Sequence, residues 1–270
     1  MNQFLEDRMG LRDFLRVTPA LIGWLVSFLF WGGAIVNAAE IKVVSGSAVA
    51  PVMIELIARF EKSSGHRVSF DSDGAIGAIT ARLLNGEAAD VAIVSGAQID
   101  QLERQGKVVA ASRTDIAKVG VGVFVRQGAS KPEIDSADAF RRAMLSAKSI
   151  GYNDPAAGAP VSIYLIGLFE RMDIAAAMQA KTTMFKQRTE RFEAVARGDV
   201  EIGFNQISEI IATPSVDLVG PLPAPLQNYT QFSSGIVANG KEQDTGRAFV
   251  RFITAPASNA IWRAKGFEVP

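Results

Sequence analysis

The chain has 270 residues, and 48% of them are hydrophobic, which is enough to build a substantial core. Its 28 basic and 28 acidic side chains balance, so the composition excludes the strongly basic surface that nucleic-acid binding requires. The chain contains no cysteine, and it therefore forms no disulfide and carries no lipid-modified cysteine. These features favour an α/β protein whose partner is a small molecule.

The N-terminal segment, residues 1–38, has the features of a secretory signal peptide. Arg12 and Arg16 precede an apolar run from Leu21 to Val36, and small residues follow up to Ala38. We expect cleavage after Ala38 or the residue that follows it, and export to the periplasm. A membrane anchor is the alternative, but the apolar run of 16 residues is shorter than the roughly 20 that a spanning helix needs.

Three units of strand, small-residue loop and helix follow in chain order. The first has a strand at 41–44 and a helix from Pro51, whose apolar positions recur with helical spacing until Gly65 stops it. The second and third have strands at 67–70 and 91–94, each followed by a glycine-bearing loop and a helix. Alternating strands and helices predict a parallel sheet covered by helices on both faces. In such sheets, ligands bind at the carboxyl ends of the strands.

A second α/β series begins beyond residues 119–125 and ends before a long extended run at 229–238, and these two stretches are the expected crossing strands. Between them, the pattern predicts helices at 137–147, 161–172 and 189–197, strands at 149–152 and 201–204, and a further helix opened by Asn205 and Gln206. We therefore predict two α/β lobes, residues 39–122 with 234–270 and residues 123–233, joined by two crossing strands. Such a chain can close like a hinge around a ligand.

Five segments carry a family resemblance, and they are VVSGSAVAPVMIELIARFEKSSG, GAIGAITARLLNGEAADVAIVS, GYNDPAAGAPVSIYLIGLFERM, EAVARGDVEIGFNQISEI and FVRFITAPASNAIWRAKGFE. In this order they are similar to the molybdate-type periplasmic binding proteins of ABC importers. The resemblance implies a class II periplasmic-binding-protein-like fold, in which four loops hold an oxyanion with hydroxyl and backbone N–H groups. It also implies a small anionic ligand, an ABC permease as partner, a monomeric protein, and no metal or cofactor.

The family's two ligand loops in the first lobe can be carried over to this chain. The first falls on Ser45, Gly46 and Ser47, where the expected hydroxyl is present, with Ser47 the strongest candidate. The second falls on Gly74 to Gly77. The family usually has two serines at its centre, whereas this chain has Ala75 and Ile76 before Gly77. The resemblance therefore implies a ligand loop here that has lost its hydroxyl donors.

The second lobe departs from the family pattern as well. Ser162 matches a contact at the start of a helix and can donate its hydroxyl. The next contact, a backbone amide in the family, falls near Arg188, where an arginine is unusual. The last contact is commonly a tyrosine hydroxyl and aligns with Gln206, beside Asn205, so that an amide replaces a phenol.

These departures bear on the ligand, because a pocket for a bare tetrahedral dianion has to offer a donor to every oxygen. Each lost hydroxyl leaves an oxygen unpaired at a cost of roughly 1 to 3 kcal/mol. Ile76 adds an apolar wall, and Arg188 is a potential bidentate partner for a carboxylate. The sequence thus leaves two ligand classes open, a molybdate-like oxyanion and a small organic acid, and favours the second.

Each site residue also has a purely structural interpretation. Glycine and serine are common wherever a strand leads into a helix, so any one loop can be turn chemistry. Arg188 can be an exposed charge at a helix start, and Gln206 can be a capping residue. Four loops at matching positions favour a shared pocket over four unrelated turns.

An enzyme is not expected from this sequence. There is no Gly-x-Ser-x-Gly motif and no cysteine, and the single histidine, His66, lies between a helix end and a strand. A secreted hydrolase is therefore disfavoured. A ligand-sensing receptor of a signalling system remains the alternative to transport.

Overall fold

Strands and helices alternate along most of the structure, a computed structural model that describes residues 38–270. The strands in this part of the chain are β1 Glu40–Ser45, β2 Arg67–Asp71, β3 Val91–Ser95, β4 Thr114–Arg126, β5 Ile150–Asn153, β6 Thr182–Phe185, β7 Ile202–Gln206, β8 Val216–Pro221, β9 Tyr229–Ile236 and β10 Phe267–Glu268. The α-helices are α1 Ala50–Ser64, α2 Ile76–Leu84, α3 Gly96–Arg104, α4 Ala137–Ser146, α5 Pro160–Arg171, α6 Ala175–Gln179, α7 Arg188–Arg197, α8 Ile207–Ile211, α9 Gln243–Thr254 and α10 Asn259–Ala264.

The strands form one hydrogen-bonded network in the order β2-β1-β3-β9-β4-β7-β5-β6, with β8 and β10 both paired to β4. β1 runs parallel to β2 and β3, and β5 runs parallel to β6 and β7. β9 and β4 lie between these two parallel groups and are antiparallel to each other. Each parallel group is built from strands connected by helices, as the sequence pattern predicts.

The 13-residue strand β4 is shared by two lobes. Its residues 114–120 pair with β9, whereas residues 121–126 pair with β7 and β8. The buried apolar side chains divide at the same point: one core gathers residues within 41–119 and 232–267, and the others lie within 121–222. The predicted two-lobed α/β architecture is confirmed.

The chain passes back to the first lobe just before β9, and the side chain of Gln227 in this segment forms hydrogen bonds with β4. Its Oε1 accepts from the backbone N–H of Val121 at 2.8 Å, and its Nε2 donates to the carbonyl oxygen of Val121 at 3.1 Å. A Cβ on Gly120 would come within 2.9 Å of Gln227 Nε2, so the glycine leaves room for this contact. The two crossing segments are therefore hydrogen-bonded to each other. The exact lobe boundaries, after residues 122 and 233, stay a prediction.

The strand, loop and helix units predicted for the first lobe are present, and α1 illustrates why. Pro51 lies in its first turn, where its missing N–H costs nothing. The helix ends at Gly65, whose φ of 76° is in the left-handed region that glycine adopts freely. The apolar side chains that share one face, Val52, Met53, Leu56 and Phe60, are all buried.

Three elements of the second lobe, α6, β6 and β8, are not predicted from the sequence. Helix α6 has five residues, too few for a periodic pattern, and β6 has no fully buried side chain. The helix predicted to open at Asn205 starts two residues later, at Ile207. Asn205 and Gln206 instead form the end of β7.

None of the helices within residues 38–270 is both long enough and apolar enough to cross a membrane. Residues 1–37 of the predicted signal peptide lie outside the described part of the chain. The signal and its cleavage therefore stay a prediction.

Candidate functional site

A cavity of about 430 Å³ lies between the two lobes. It is bounded by loops that follow β1 and β2 in the first lobe and β5, β6 and β7 in the second. Its lining residues are Ser47, Ala48, Ala50, Ser72, Asp73, Gly74, Ala75, Ile76, Asn153, Ala159, Pro160, Val161, Ser162, Lys186, Gln187, Arg188, Thr189, Arg191, Asn205, Gln206 and Glu209. The cavity thus lies at the carboxyl ends of the parallel strands, the predicted place for a ligand.

Helix N-termini from both lobes reach the cavity. Ala75 is the N-cap residue of helix α2, and Ala159 is the N-cap residue of helix α5. Neither has a side chain that can cap a helix. The first backbone N–H groups of a helix have no partner within it, and the helix dipole adds a partial positive charge. Both lobes therefore offer positions that favour an anion.

Arg191, on the first turn of α7, is the most deeply buried cation of the site, with an exposed fraction of only 2%. Its Nη1 donates to Asn153 Oδ1, whereas Nε and Nη2 have no hydrogen-bond partner within residues 38–270. Burial lowers the pKa of Arg191 to about 10, an effect that the negative charge of Glu209 opposes and the positive charge of Arg188 reinforces. The guanidinium is still charged at neutral pH, and two of its nitrogens are free to donate.

Two buried amides lie in the same cavity, at the end of β7. Asn205 and Gln206 have exposed fractions of 5% and 6%, and their Nδ2 and Nε2 atoms have no hydrogen-bond partner in the described structure. Gln206 occupies the N-cap position of α8, but its side chain makes no cap hydrogen bond. Together with Arg191, the two amides provide four unpartnered donor atoms. Buried donors are nearly always satisfied in folded proteins, so these four point to an acceptor that a ligand brings.

Glu209 adds a negative group to the cavity. This residue of α8 has an exposed fraction of 4%, and its Oε1 has no hydrogen-bond partner among the described residues. Arg188 Nε lies 3.4 Å from this oxygen, close enough for an ion pair. Counting all lining side chains, the three basic groups Lys186, Arg188 and Arg191 outnumber the two acidic ones by one. The site is therefore net positive and favours an anion.

Seven of the ten residues predicted for the site line the cavity: Ser47, Ala75, Ile76, Ser162, Arg188, Asn205 and Gln206. Arg188 is half-exposed and pairs with Glu209, so it lies at the mouth of the cavity. The absence of hydroxyls at Ala75 and Ile76 leaves an apolar wall, as the sequence indicates.

The other three predicted residues, Ser45, Gly46 and Gly77, do not line the cavity. Ser45 is fully buried and donates its hydroxyl to the carbonyl oxygen of Gly46, while the N–H of Gly46 is bonded to Ile93. A Cβ on Gly46 would also come within 2.6 Å of Ile76 Cγ1. Ser45 and Gly46 therefore already use these polar groups within the first lobe.

Sequence reasoning missed Asn153, Arg191 and Glu209. Arg191 lies three residues after Arg188 and therefore on the same face of α7, so helical spacing was a signal that could have identified it. Glu209 gives no such signal, because its burial depends on how α8 packs between the lobes.

Residues 41–268 match the family described as bacterial extracellular solute-binding protein. The match spans nearly all of the described residues, and the chain belongs to this family.

Two curated relatives and one solved structure refine this assignment. The chain is 32% identical over 226 residues to an aconitate isomerase from Pseudomonas sp., covering 82% of this chain and 85% of the relative. It is 24% identical over 236 residues to the molybdate-binding protein ModA of Azotobacter vinelandii, covering 86% and 90%. The solved periplasmic molybdate-binding protein of Azotobacter vinelandii superposes with a TM-score of 0.72 at 20% identity, covering 86% of this chain and 100% of that one. The resemblance to molybdate-type binding proteins is confirmed as a similarity in sequence and fold.

Proposed function

We propose that the protein binds a small organic acid with more than one carboxylate group in the cavity between its lobes. The observation that carries this proposal is Arg191, whose buried guanidinium has two nitrogens without a hydrogen-bond partner among the described residues. A buried charge is costly unless it is paired, and a bound anion provides that pairing. A carboxylate matches the planar fork of a guanidinium with two parallel hydrogen bonds.

The spread of the donors favours a second carboxylate on the same ligand. Arg191, Asn205 and Gln206 belong to the second lobe, whereas the uncapped N-terminus of α2 behind Ala75 belongs to the first. One carboxylate cannot engage both sets fully, but a ligand with a carboxylate at each end can. The volume of about 430 Å³ is within the range of roughly 300–1,000 Å³ common for small-molecule sites.

A bare tetrahedral oxyanion fits this lining less well than an organic acid. Molybdate presents oxygens in every direction, and here some of them would face the apolar side chains of Ala75 and Ile76. Others would approach the buried carboxylate of Glu209, which repels them. An organic acid can present its carbon skeleton to these groups and keep its carboxylates on the donors.

The relative named aconitate isomerase supports the same ligand class, because aconitate is a small tricarboxylic acid. The sequence predicts that the chain is not an enzyme, and the enzyme name of this relative opposes that expectation. The expectation stays a prediction. Binding a polycarboxylate is required of a receptor and of an enzyme alike, so the proposed ligand class holds for both.

We further propose that the protein is exported to the periplasm, acts as a monomer and delivers its ligand to an ABC permease. Membership of the solute-binding family supports this role, and so does the signal-like segment 1–38. A sensory receptor is the alternative. Genes for a permease and an ATPase beside the gene for this chain would favour transport, and their absence would favour sensing.

A thermal-shift screen of the purified protein against a panel of anions tests the proposed ligand class. The panel contains trans-aconitate, citrate, tricarballylate, succinate, acetate, molybdate and sulfate. A ligand at 100 times its Kd adds about 2.7 kcal/mol to the free energy of unfolding, which raises the Tm of a domain this size by roughly 5–10 °C. We expect such a shift with at least one polycarboxylate and a smaller one with acetate. A shift with molybdate alone would contradict the proposal.

A further inference from the structure

Glu209 differs from Asp90, which is also buried, in how its carboxylate is satisfied. The two oxygens of Asp90 accept hydrogen bonds from the backbone N–H groups of Lys42 and Glu242, both at 2.8 Å, so Asp90 has a structural task. Glu209 Oε1 accepts no hydrogen bond in the described structure and faces the ligand cavity. A carboxylate oxygen left in this state is available to a hydrogen that the ligand carries.

The cationic and amide donors of the cavity indicate which hydrogen of the ligand is the relevant one. A C–H group next to a carboxylate is a weak acid, and it loses its proton more readily when the developing negative charge on the carboxylate oxygens is stabilised. Arg191, Asn205 and Gln206 offer four unpartnered donors for such a carboxylate, and Glu209 follows Gln206 by three residues. The cavity therefore combines a group that accepts a proton with groups that stabilise the resulting charge.

We propose that Glu209 is a catalytic residue that moves a proton between two carbons of an unsaturated polycarboxylate bound in this cavity. The proposal rests on the proposed binding of polycarboxylates and adds an activity to it. Glu209 accepts a proton from a carbon next to one carboxylate, and later returns it to a different carbon of the same molecule.

The bonds and electrons of this step balance without a co-reactant. As the C–H bond breaks, the O–H bond of Glu209 forms, and the released electron pair spreads over the neighbouring double bond and the carboxylate held by Arg191. The O–H bond then breaks, and the proton binds the carbon two positions away, so that the double bond moves. The product is an isomer of the substrate, and Glu209 regains its charge.

The other groups of the cavity are less suited to this task. Asp73 is exposed, so water competes for its carboxylate. Lys186 is also exposed, and an ammonium group has no lone pair with which to accept a proton. His66 does not line the cavity, and its Nδ1 already accepts from the backbone N–H of Ala39 at 3.1 Å. Glu209 is the lining carboxylate that is buried and whose Oε1 accepts no hydrogen bond in the described structure, although Arg188 Nε lies 3.4 Å from it.

Proton NMR of trans-aconitate incubated with the full protein in D₂O tests the proposal. We expect the wild-type protein to incorporate deuterium at carbon and to form the isomer with the shifted double bond. Glu209→Gln keeps the shape of the side chain but accepts a proton poorly, so both rates should fall by about 100-fold or more. Its Kd for trans-aconitate, measured by calorimetry, should stay within about tenfold of the wild-type value. The control is Glu193→Gln, an exposed glutamate on α7, which should leave both rates unchanged.

Three further outcomes are decisive. Binding of trans-aconitate by the wild-type protein with neither deuterium incorporation nor formation of the isomer would overturn this proposal and leave the proposed function intact. Absence of any polycarboxylate binding would overturn both. Exchange that persists in Glu209→Gln would show that another group moves the proton. Should Glu209→Gln fail to fold, Glu209→Asp is the second variant, because it retains the carboxylate at a changed distance. A lowered rate of this variant with a wild-type Kd supports the proposal. An unchanged rate contradicts it.

Discussion

Arg191 holds a full positive charge where the protein itself compensates it only in part. The side chain of Asn153 satisfies one nitrogen, and the carboxylate of Glu209 contributes at longer range. The remaining donors have no partner in the described structure, which makes this residue more important to a ligand than to the fold. Arg188, by contrast, is accessible to water and already paired.

Replacing Arg191 by glutamine should weaken polycarboxylate binding without weakening the fold. Loss of charge-assisted hydrogen bonds of about 1.5–3 kcal/mol corresponds to a Kd raised roughly 10- to 100-fold. The Tm of the ligand-free protein should stay the same or rise, because a poorly compensated buried charge is removed. Calorimetry and thermal unfolding measure the two effects separately.

Arg197→Gln is the matched control for this change, since Arg197 is on the same helix with 60% of its side chain exposed. We expect its Kd to equal that of the wild-type protein. Equal affinities for the wild-type and Arg191→Gln proteins would show that Arg191 does not bind the ligand.

The loop from β2 to α2 is held by side-chain contacts that lie outside the cavity. Arg82 on α2 donates to Asp71 at the end of β2 and to Glu87, whose Oε1 also accepts from Lys42 at 2.9 Å. Arg82 Nη1 donates to the carbonyl oxygen of Asp73, at 3.4 Å. These contacts hold both ends of the loop that lines the first-lobe wall of the cavity.

These ionic contacts of Arg82 predict that the stability of the fold depends on pH. Hydrogen bonds from Arg82 and Lys42 lower the pKa of Glu87 from 4.5 to about 2, and hydrogen bonds from Arg82 and the backbone N–H of Asp73 lower the pKa of Asp71. A depressed carboxylate pKa stabilises the folded state above the unfolded value, so this contribution is lost as the pH falls from 4.5 towards 2. In Arg82→Gln, we expect Tm to depend less steeply on pH in that window, measured by circular dichroism.

The control for this prediction is Arg59→Gln, which removes an exposed ion pair with Glu55 on α1. Exposed pairs of this kind contribute little, so the pH dependence should match the wild-type one. An unchanged slope in Arg82→Gln would mean that the network does not stabilise the loop.

The elements differ in how far the sequence predicts them. Residues 91–94 of β3 are apolar because both faces of the strand are covered, and α1 is bounded by Pro51 and Gly65, so local pattern is enough to find both. Arg191 and Glu209 were missed because a charged residue on a helix is ordinarily exposed, and only tertiary packing buries them. The apolar wall at Ile76 was predicted, because the family resemblance implies that this loop lines the pocket and the residue type makes it apolar.

At the scale of the whole molecule, the two lobes contact each other around the cavity. Ser208 Oγ, in the second lobe, donates to the carbonyl oxygen of Ala48 at 2.9 Å, and both groups are buried. On the other side, a Cβ on Gly158 would come within 2.9 Å of Gly77 Cα in the first lobe. The absence of a side chain at Gly158 therefore allows this close approach.

Gly158→Ala should hinder the contact between the lobes and weaken ligand binding. The matched control is Gly128→Ala, because both glycines have φ in the left-handed region, at 70° and 74°, but among residues 38–270 nothing lies within 4 Å of a Cβ placed on Gly128. Both variants lose similar stability from backbone strain. Only Gly158→Ala should also raise the Kd, by about tenfold or more, as measured by calorimetry. Equal Kd values for the two variants would show that this contact does not contribute to binding.

The central claim is that the cavity binds a small polycarboxylate through Arg191, and titration calorimetry of the purified protein tests it most directly. The wild-type protein is titrated with trans-aconitate, tricarballylate and molybdate, and Arg191→Gln is titrated with the same three. We predict that a polycarboxylate binds more tightly than molybdate and that Arg191→Gln raises the Kd for the polycarboxylate roughly 10- to 100-fold. Nanomolar molybdate binding with none for the carboxylates would contradict the claim.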